Sequence, residues 1–158
     1  MESVRFADPS DAEAIAELCA EAINTLKESA NGQAMLIGRT GLIGKALSRP
    51  GGLARLLADT HTTVLVGLFE EVIVGFAVAH SNLPNKPLGD IDAIYVTPGA
   101  RGIGVGQALL DSAVKVLANH GCINLDVNCL PGDRGSKRLM ESSGFKARQI
   151  TMTRHIGR

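Results

Sequence analysis

Two glycine-rich stretches have the composition to cradle a phosphate, and their surroundings separate them. The first is Gly38-Arg39-Thr40-Gly41-Leu42-Ile43-Gly44-Lys45. It fails as a Walker A loop, because Arg39 stands where glycine is needed and Ala46 follows Lys45 in place of Ser or Thr. A dinucleotide-binding turn needs a buried strand ahead of it, and only Ala34-Met35-Leu36-Ile37 is available, with no acidic-ended second strand at the usual distance. The stretch reads as a flexible loop, with dinucleotide binding through Gly38–Gly44 as the alternative. The second is Arg101-Gly102-Ile103-Gly104-Val105-Gly106, placed between an apolar strand pattern ending at Val96 and a helical pattern opening near Gly106. Glycines there let backbone N–H groups approach a pyrophosphate, the helix N-terminus adds partial positive charge, and Arg101 supplies a cation.

Those loops need elements to hold them. Val4 to Phe6 is a short apolar start, and Ser10 with Glu13 has the form of a capping box opening a helix to about Glu28. Ile15, Leu18, Cys19, Ala22, Ile23 and Leu26 recur at helical spacing, which predicts one buried face and places Asp11, Glu17, Glu21 and Lys27 in water. From Ala30 to Gly52 six glycines and Pro50 predict a mobile or broken helical segment. Leu53 to Ala58 reads as one more helical turn. Thr63–Phe69 and Val72–Ala79 are β-branched runs around Glu70-Glu71, which predicts an antiparallel hairpin.

Asn82 to Pro87 is a turn-rich loop, and Ile91 to Val96 forms the next strand. Leu109, Leu110, Ala113, Val114 and Leu117 then sit at helical spacing up to Gly121, and Ile123, Leu125, Val127 and Cys129 alternate as a strand. Asp133 caps a short helix to Ser143, and a final strand is expected from Phe145 to about Ile156. The order predicts one domain over residues 1–158, an α/β fold with a mixed, mostly antiparallel central sheet flanked by helices.

Ile94-Tyr95-Val96-Thr97-Pro98 followed by Arg101-Gly102-Ile103-Gly104-Val105-Gly106-Gln107-Ala108-Leu109-Leu110 resembles the coenzyme A-binding motif of the GNAT superfamily of N-acetyltransferases. Val4-Arg5-Phe6-Ala7 with Asp11-Ala12 resembles that family's first strand and helix. Val74-Gly75-Phe76-Ala77 is similar to its third strand, and Ser143-Gly144-Phe145 to the close of its last helix. The resemblance spans about Val4 to Ile156 and implies the GNAT acyltransferase fold, with acetyl-coenzyme A as cosubstrate.

What it implies chemically is transfer of an acetyl group to a primary amine of a small molecule or protein by direct attack in a ternary complex. A lysine-like amine with a pKa near ~10.4 is free base in only roughly one molecule in 2,500 at neutral pH, so a positioned proton acceptor helps. Relatives often carry a carboxylate four residues before the position of Val96, which here is Asp92. Asp90 lies on the same strand face by period-two alternation, and Asp126 on the next strand is a third candidate. The resemblance gives Ile94, Tyr95 and Val96 the wall and backbone donors beside the thioester, and the loop Arg101, Gly102, Ile103, Gly104, Val105 and Gly106 the pyrophosphate. Tyr95 falls on the strand face opposite Asp92 unless a bulge intervenes.

Two positions depart from the pattern. Met140 stands where relatives commonly place the Tyr that protonates the thiolate, and Asp133 stands where they often have an Asn contacting the coenzyme. The missing Tyr supports a rival reading as a non-catalytic acyl-coenzyme A-binding module.

Composition narrows the partners. Sixteen Lys plus Arg balance sixteen Asp plus Glu with no long run of either sign, which predicts neither nucleic-acid nor membrane-surface binding. No apolar run reaches the ~18 residues of a spanning helix and no apolar leader opens the chain, so a cytoplasmic protein is expected. Cys19, Cys122 and Cys129 lack metal-ligand spacing and read as small apolar residues, so no metal is expected. Relatives of the superfamily are often dimers, which makes a homodimer compatible with the resemblance.

Overall fold

A computed structural model describes residues 1–157. The chain divides into two compact units, Met1–Asn128 and Cys129–Arg158. The first is built around a five-stranded sheet of β1 (Glu2–Phe6), β2 (Thr62–Phe69), β3 (Val72–Ser81), β4 (Leu88–Val96) and β5 (Asn124–Val127), in that spatial order. The three pairings from β1 to β4 are antiparallel and β4–β5 is parallel. Between β1 and β2 run α1 (Ala12–Glu28), α2 (Gly32–Leu36), α3 (Arg39–Leu47) and α4 (Gly52–Ala58), and α5 (Val105–Asn119) joins β4 to β5. The mixed, mostly antiparallel sheet flanked by helices matches the expectation.

Strict alternation along β2 and β3 gives each face its own partner. Val64, Val66, Phe76 and Val78 pack with Ile15, Leu18 and Cys19 of α1, Ile43 and Leu47 of α3, and Leu53 of α4. On the other face α5 buries Val105, Leu109, Leu110, Ala113 and Leu117. It lies close because the sheet carries glycine beneath it: a Cβ on Gly67 would stand 2.6 Å from Val105 Cγ1, and one on Gly75 3.2 Å from Leu109 Cδ1. The β2–β3 hairpin closes through Glu70 and Glu71 at φ 48° and 72°, the left-handed pair that a two-residue turn requires. Burial pushes the Cys19 thiol up to about 11, consistent with its reading as core.

Three expectations change. The chain enters α1 through a 3₁₀ turn, Pro9–Asp11, capped by Asp8, in place of a cap by Ser10 with Glu13: the Asp8 side chain accepts from Ser10 N–H at 2.8 Å, while Asp8 N–H donates to Asp11 Oδ2 at 2.9 Å. Asp11, expected in water, is therefore buried, and it takes both Nη1 (2.7 Å) and Nη2 (2.9 Å) of Arg5. Second, Gly38–Lys45, read as a flexible loop, is the N-cap and body of α3, while the broken helical segment expected over Ala30–Gly52 and the helical turn after it are present as α2, α3 and α4. Its glycines serve close packing: a Cβ on Gly44 would meet Ile23 Cδ1 at 3.1 Å.

Third, in the second unit α6 (Arg134–Ser142) is capped by Asp133 as expected, but Phe145 to Gly157 forms neither strand nor helix. Alternation alone does not make a strand. Ile150, Met152 and Ile156 are all exposed, and among the described residues this segment takes part in no strand pairing.

The Arg5–Asp11 pair gives a direct stability test. The Arg5 hydrogen bonds hold the Asp11 carboxyl below the usual carboxylate range against the opposing effect of burial. The stability it contributes is present above the unfolded pKa near ~3.9 and is lost as pH falls through the lower folded value. Asp11→Asn is expected to cost about 1–3 kcal/mol at neutral pH in urea unfolding, with the deficit shrinking in acid below about pH 3. An equal deficit at both pH values would show that the charge contributes nothing.

Candidate active site

The loop after β4 has the geometry its sequence implied. Pro98–Ala100 makes one 3₁₀ turn, Gly102 and Gly104 take φ 81° and 97°, and α5 starts at Val105. Gly104 is the N-cap and supplies no side chain to cap the helix. The first bond of the helix is Ala108 N–H to Gly104 C=O at 2.9 Å, so the N–H groups ahead of it open toward the loop. No atom stands within 4 Å of where a Cβ on Gly102 would be. A diphosphate can approach this backbone closely, which fits a nucleotide-type anion. Arg101 is pinned beside it, with Nε donating to Val96 C=O at 2.9 Å and the guanidinium 5.5 Å from the Tyr95 ring centroid.

β4 leads into that loop with one edge open. β5 pairs with it only from Leu88↔Asn124 to Ile91↔Val127, while β3 accompanies it as far as Gly75↔Val96. Asp92 to Val96 therefore lack a strand partner on the β5 side. This one-sided stretch contains Ile94, Tyr95 and Val96, the backbone expected beside the thioester.

At the other end of the open stretch the ladder slips. Val78 pairs with Ala93 and Ala79 with Ile91, which leaves Asp92 as the extra residue of a β-bulge. The bulge puts Asp92 and Tyr95 on the same side of the sheet: Asp92 bonds α3, and the Tyr95 hydroxyl donates to Glu21 Oε2 of α1 at 3.1 Å. Burial and Glu21 together push the Tyr95 hydroxyl upward, so it stays protonated. Tyr95 packs against the core on the face that alternation alone excluded.

Asp92 is the most enclosed acid here, with its side chain 2% exposed. Arg39 Nε donates to Oδ1 at 2.9 Å, His80 Nδ1 lies 2.7 Å from Oδ2, and Thr40 Oγ1 donates to the main-chain carbonyl at 2.7 Å. Burial pushes its pKa up, opposed by His80 and Arg39. Asp90 is half-buried and accepts from Asn82 Nδ2 at 2.8 Å, with His80 Nε2 3.4 Å away. Asp126 is its register partner on β5 and is exposed. The imidazole of His80 thus stands between Asp92 and Asp90. Beside Asp90 opens a cavity of about 540 Å³, also lined by Asp59, His61, Asn82 and Lys86.

The structure gathers Asp90, Asp92 and Asp126 at one end of β4 and the Arg101–Gly106 loop at the other. Asp133 and Met140 belong to the second unit, where Asp133 caps α6 through Ser136 N–H at 3.1 Å and Met140 is buried. Sequence reasoning missed His80, Arg39 and Thr40. Nothing in their local pattern marks them: His80 ends a strand, and Arg39 and Thr40 sit in a stretch read as a loop. They meet Asp92 only through the β3–β4 register and the packing of α3.

A family model described as the acetyltransferase (GNAT) family matches residues 44–145. A mycothiol acetyltransferase of Beutenbergia cavernae is 35% identical over 63 residues, covering 40% of this chain and 21% of that protein, so the match spans about a fifth of the curated relative's length. Among solved structures, AAC(6')-Iy in complex with the bisubstrate analog CoA-S-monomethyl-acetylneamine aligns with TM-score 0.71 at 18% identity, covering 99% of each chain. The aminoglycoside acetyltransferase meta-AAC0020 from an uncultured soil metagenomic sample, in complex with sisomicin, gives 0.68 at 18% over 99% of this chain and 95% of that one. The ribosomal-protein-alanine N-acetyltransferase from Brucella melitensis gives 0.67 at 18% over 98% and 99%. At these identities the likeness is one of fold.

Proposed function

Because the chain belongs to the acetyltransferase (GNAT) family, we propose that it is an acetyl-coenzyme A-dependent N-acetyltransferase acting on a primary amine of a small molecule or protein. The observation that carries this reading is the turn from the open end of β4 through Gly102 and Gly104, both left-handed, into the N-terminus of α5. Val105 and Gly106 offer N–H groups to the pyrophosphate and the helix dipole favours its charge. Arg101 adds a cation beside them. The bound coenzyme supplies an activated acetyl thioester, and the backbone of Ile94–Val96 is available to donate a hydrogen bond to its carbonyl oxygen.

The remaining requirement is a proton acceptor for the amine, for which the acids of β4 are the candidates, acting directly or through an intervening group: Asp92 at the bulge and Asp90 further from the loop. Asp133 and Met140 are assigned to the coenzyme on the resemblance alone. Met140 has no proton to give, so the departing thiolate takes one from water. Aminoglycoside and protein N-acetyltransferases among the solved neighbours support an amine acceptor. In the described residues no helix is long and apolar enough to cross a membrane, in keeping with a cytoplasmic enzyme. The dinucleotide alternative loses its context, since Gly38 is the N-cap of a helix preceded by another helix and not by a strand.

The test is calorimetry with acetyl-coenzyme A, followed by a thiol-release screen across polyamines, aminoglycosides, amino acids and peptides. Binding at one molecule per chain, with release dependent on at least one primary amine, is expected. Binding without release for any acceptor would instead identify a non-catalytic acyl-coenzyme A module.

A further inference from the structure

Asp92 cannot reach a substrate as it stands, because both of its oxygens are engaged and its side chain is buried. What it does reach is His80. The 2.7 Å contact between His80 Nδ1 and Asp92 Oδ2 requires a proton between them. With that proton on Nδ1, Nε2 is the nitrogen free to gain and lose one. Nε2 points toward Asp90, at 3.4 Å from Oδ2, and Asp90 lines the cavity of about 540 Å³.

We infer that His80 takes the proton from the acceptor amine, that Asp92 is the positioning residue that fixes its tautomer, and that the amine arrives as an ammonium against Asp90 through this cavity. The inference rests on the acetyl-transfer reading and names the group that completes it. Asp59, which with Asp90 outnumbers Lys86 on the cavity wall, supports a cationic acceptor: it accepts from His61 N–H at 3.0 Å and Thr62 Oγ1 at 2.7 Å, and those bonds hold its carboxyl below the usual range.

In the step, one N–H bond of the ammonium breaks and its proton passes to His80 Nε2, leaving a neutral amine and an imidazolium between Asp90 and Asp92. The amine nitrogen then forms the C–N bond as the C–S bond breaks. The sulfur keeps the bonding pair and is protonated, the nitrogen sheds a further proton, and one proton per turnover is released to solvent. The charged groups facing His80 are Asp90 and Asp92 from β4 and Arg39 from α3, whose Nε is 3.2 Å from Nδ1. Asp59 and His61 stand at the head of β2.

Two measurements decide it. Nitrogen-15 NMR of the imidazole in the full wild-type chain is expected to show the Nδ1–H tautomer for His80, and Asp92→Asn is expected to convert it to the Nε2–H tautomer. With an acceptor from the thiol-release screen, kcat/KM of the wild type should rise with pH along a limb that reports loss of the proton from the catalytic base. In His80→Gln that limb should vanish and kcat should fall about 100-fold or more with acetyl-coenzyme A affinity unchanged. An Nε2–H tautomer in the wild type, or a His80→Gln enzyme that keeps both rate and limb, overturns the assignment and leaves acetyl transfer standing. A wild-type chain that binds acetyl-coenzyme A and acetylates nothing in the screen overturns the acetyl-transfer reading and, with it, this role for His80.

Discussion

Gly104→Glu is expected to abolish acetyl-coenzyme A binding. Position 104 combines φ 97° with ψ −9° and caps α5, so any L side chain there is strained by about 1–2 kcal/mol. The glutamate adds a negative charge where the pyrophosphate is held, and its Cβ would already lie 3.5 Å from the Glu2 carboxyl group. Strain common to the free and bound states lowers fold stability and leaves affinity to the like-charge repulsion, which at about 1.4 kcal/mol per tenfold carries the loss beyond about 100-fold. Gly104→Ala separates the two contributions: it should show only the strain, as lower fold stability, whereas the glutamate loss of affinity should ease in high salt. Melting curves read the first and calorimetry on folded variants the second. A folded glutamate variant with wild-type affinity would place the coenzyme elsewhere.

The second large effect is expected from Asp92→Asn. Arg39 Nε donates to Oδ1, so the asparagine carbonyl must face Arg39 and its amide N–H₂ must face His80. An amide donor there pairs with an unprotonated Nδ1, which forces the proton onto Nε2 and leaves His80 unable to accept one. Turnover should fall about 100- to 10,000-fold, the range over which acid–base help and its orientation operate. Acetyl-coenzyme A affinity should stay unchanged, because the substitution is isosteric and lies at the middle of β4, away from the Arg101–Gly106 loop. Adding His80→Gln should cost little more, since residues that act as a unit are not additive. A simple additive loss would show that Asp92 acts on the acceptor independently of His80. A raised acceptor KM with an unchanged kcat would reduce Asp92 to attracting a cation.

Much of this architecture was legible in the chain. The β2–β3 hairpin follows from two β-branched runs separated by two residues. The buried face of α1 follows from apolar residues at helical spacing. The phosphate-type loop follows from glycines placed where a strand must turn into a helix, a local requirement that sequence spells out directly. Asp8 capping in place of Ser10 was a competition between equivalent local acceptors, settled because Asp11 is turned inward by Arg5. The absent last strand shows the limit of alternation, since a strand needs an edge to pair with and the residues from Phe145 onward carry no information about whether one is offered.

The acid cluster divides along the same line. The family resemblance singled out Asp92 as a candidate, and alternation along the strand added Asp90. Their chemistry was decided by contacts between residues far apart in sequence: a bulge that turns Asp92 onto the face of Tyr95, a β3 register that sets His80 opposite Asp90, and a helix, read from its glycines as a loop, that delivers Arg39 and Thr40 to Asp92. Local pattern fixes which groups a strand carries. A one-residue slip in pairing fixes which way they point, and that slip is a property of two strands and the helix packed on them, not of either strand alone.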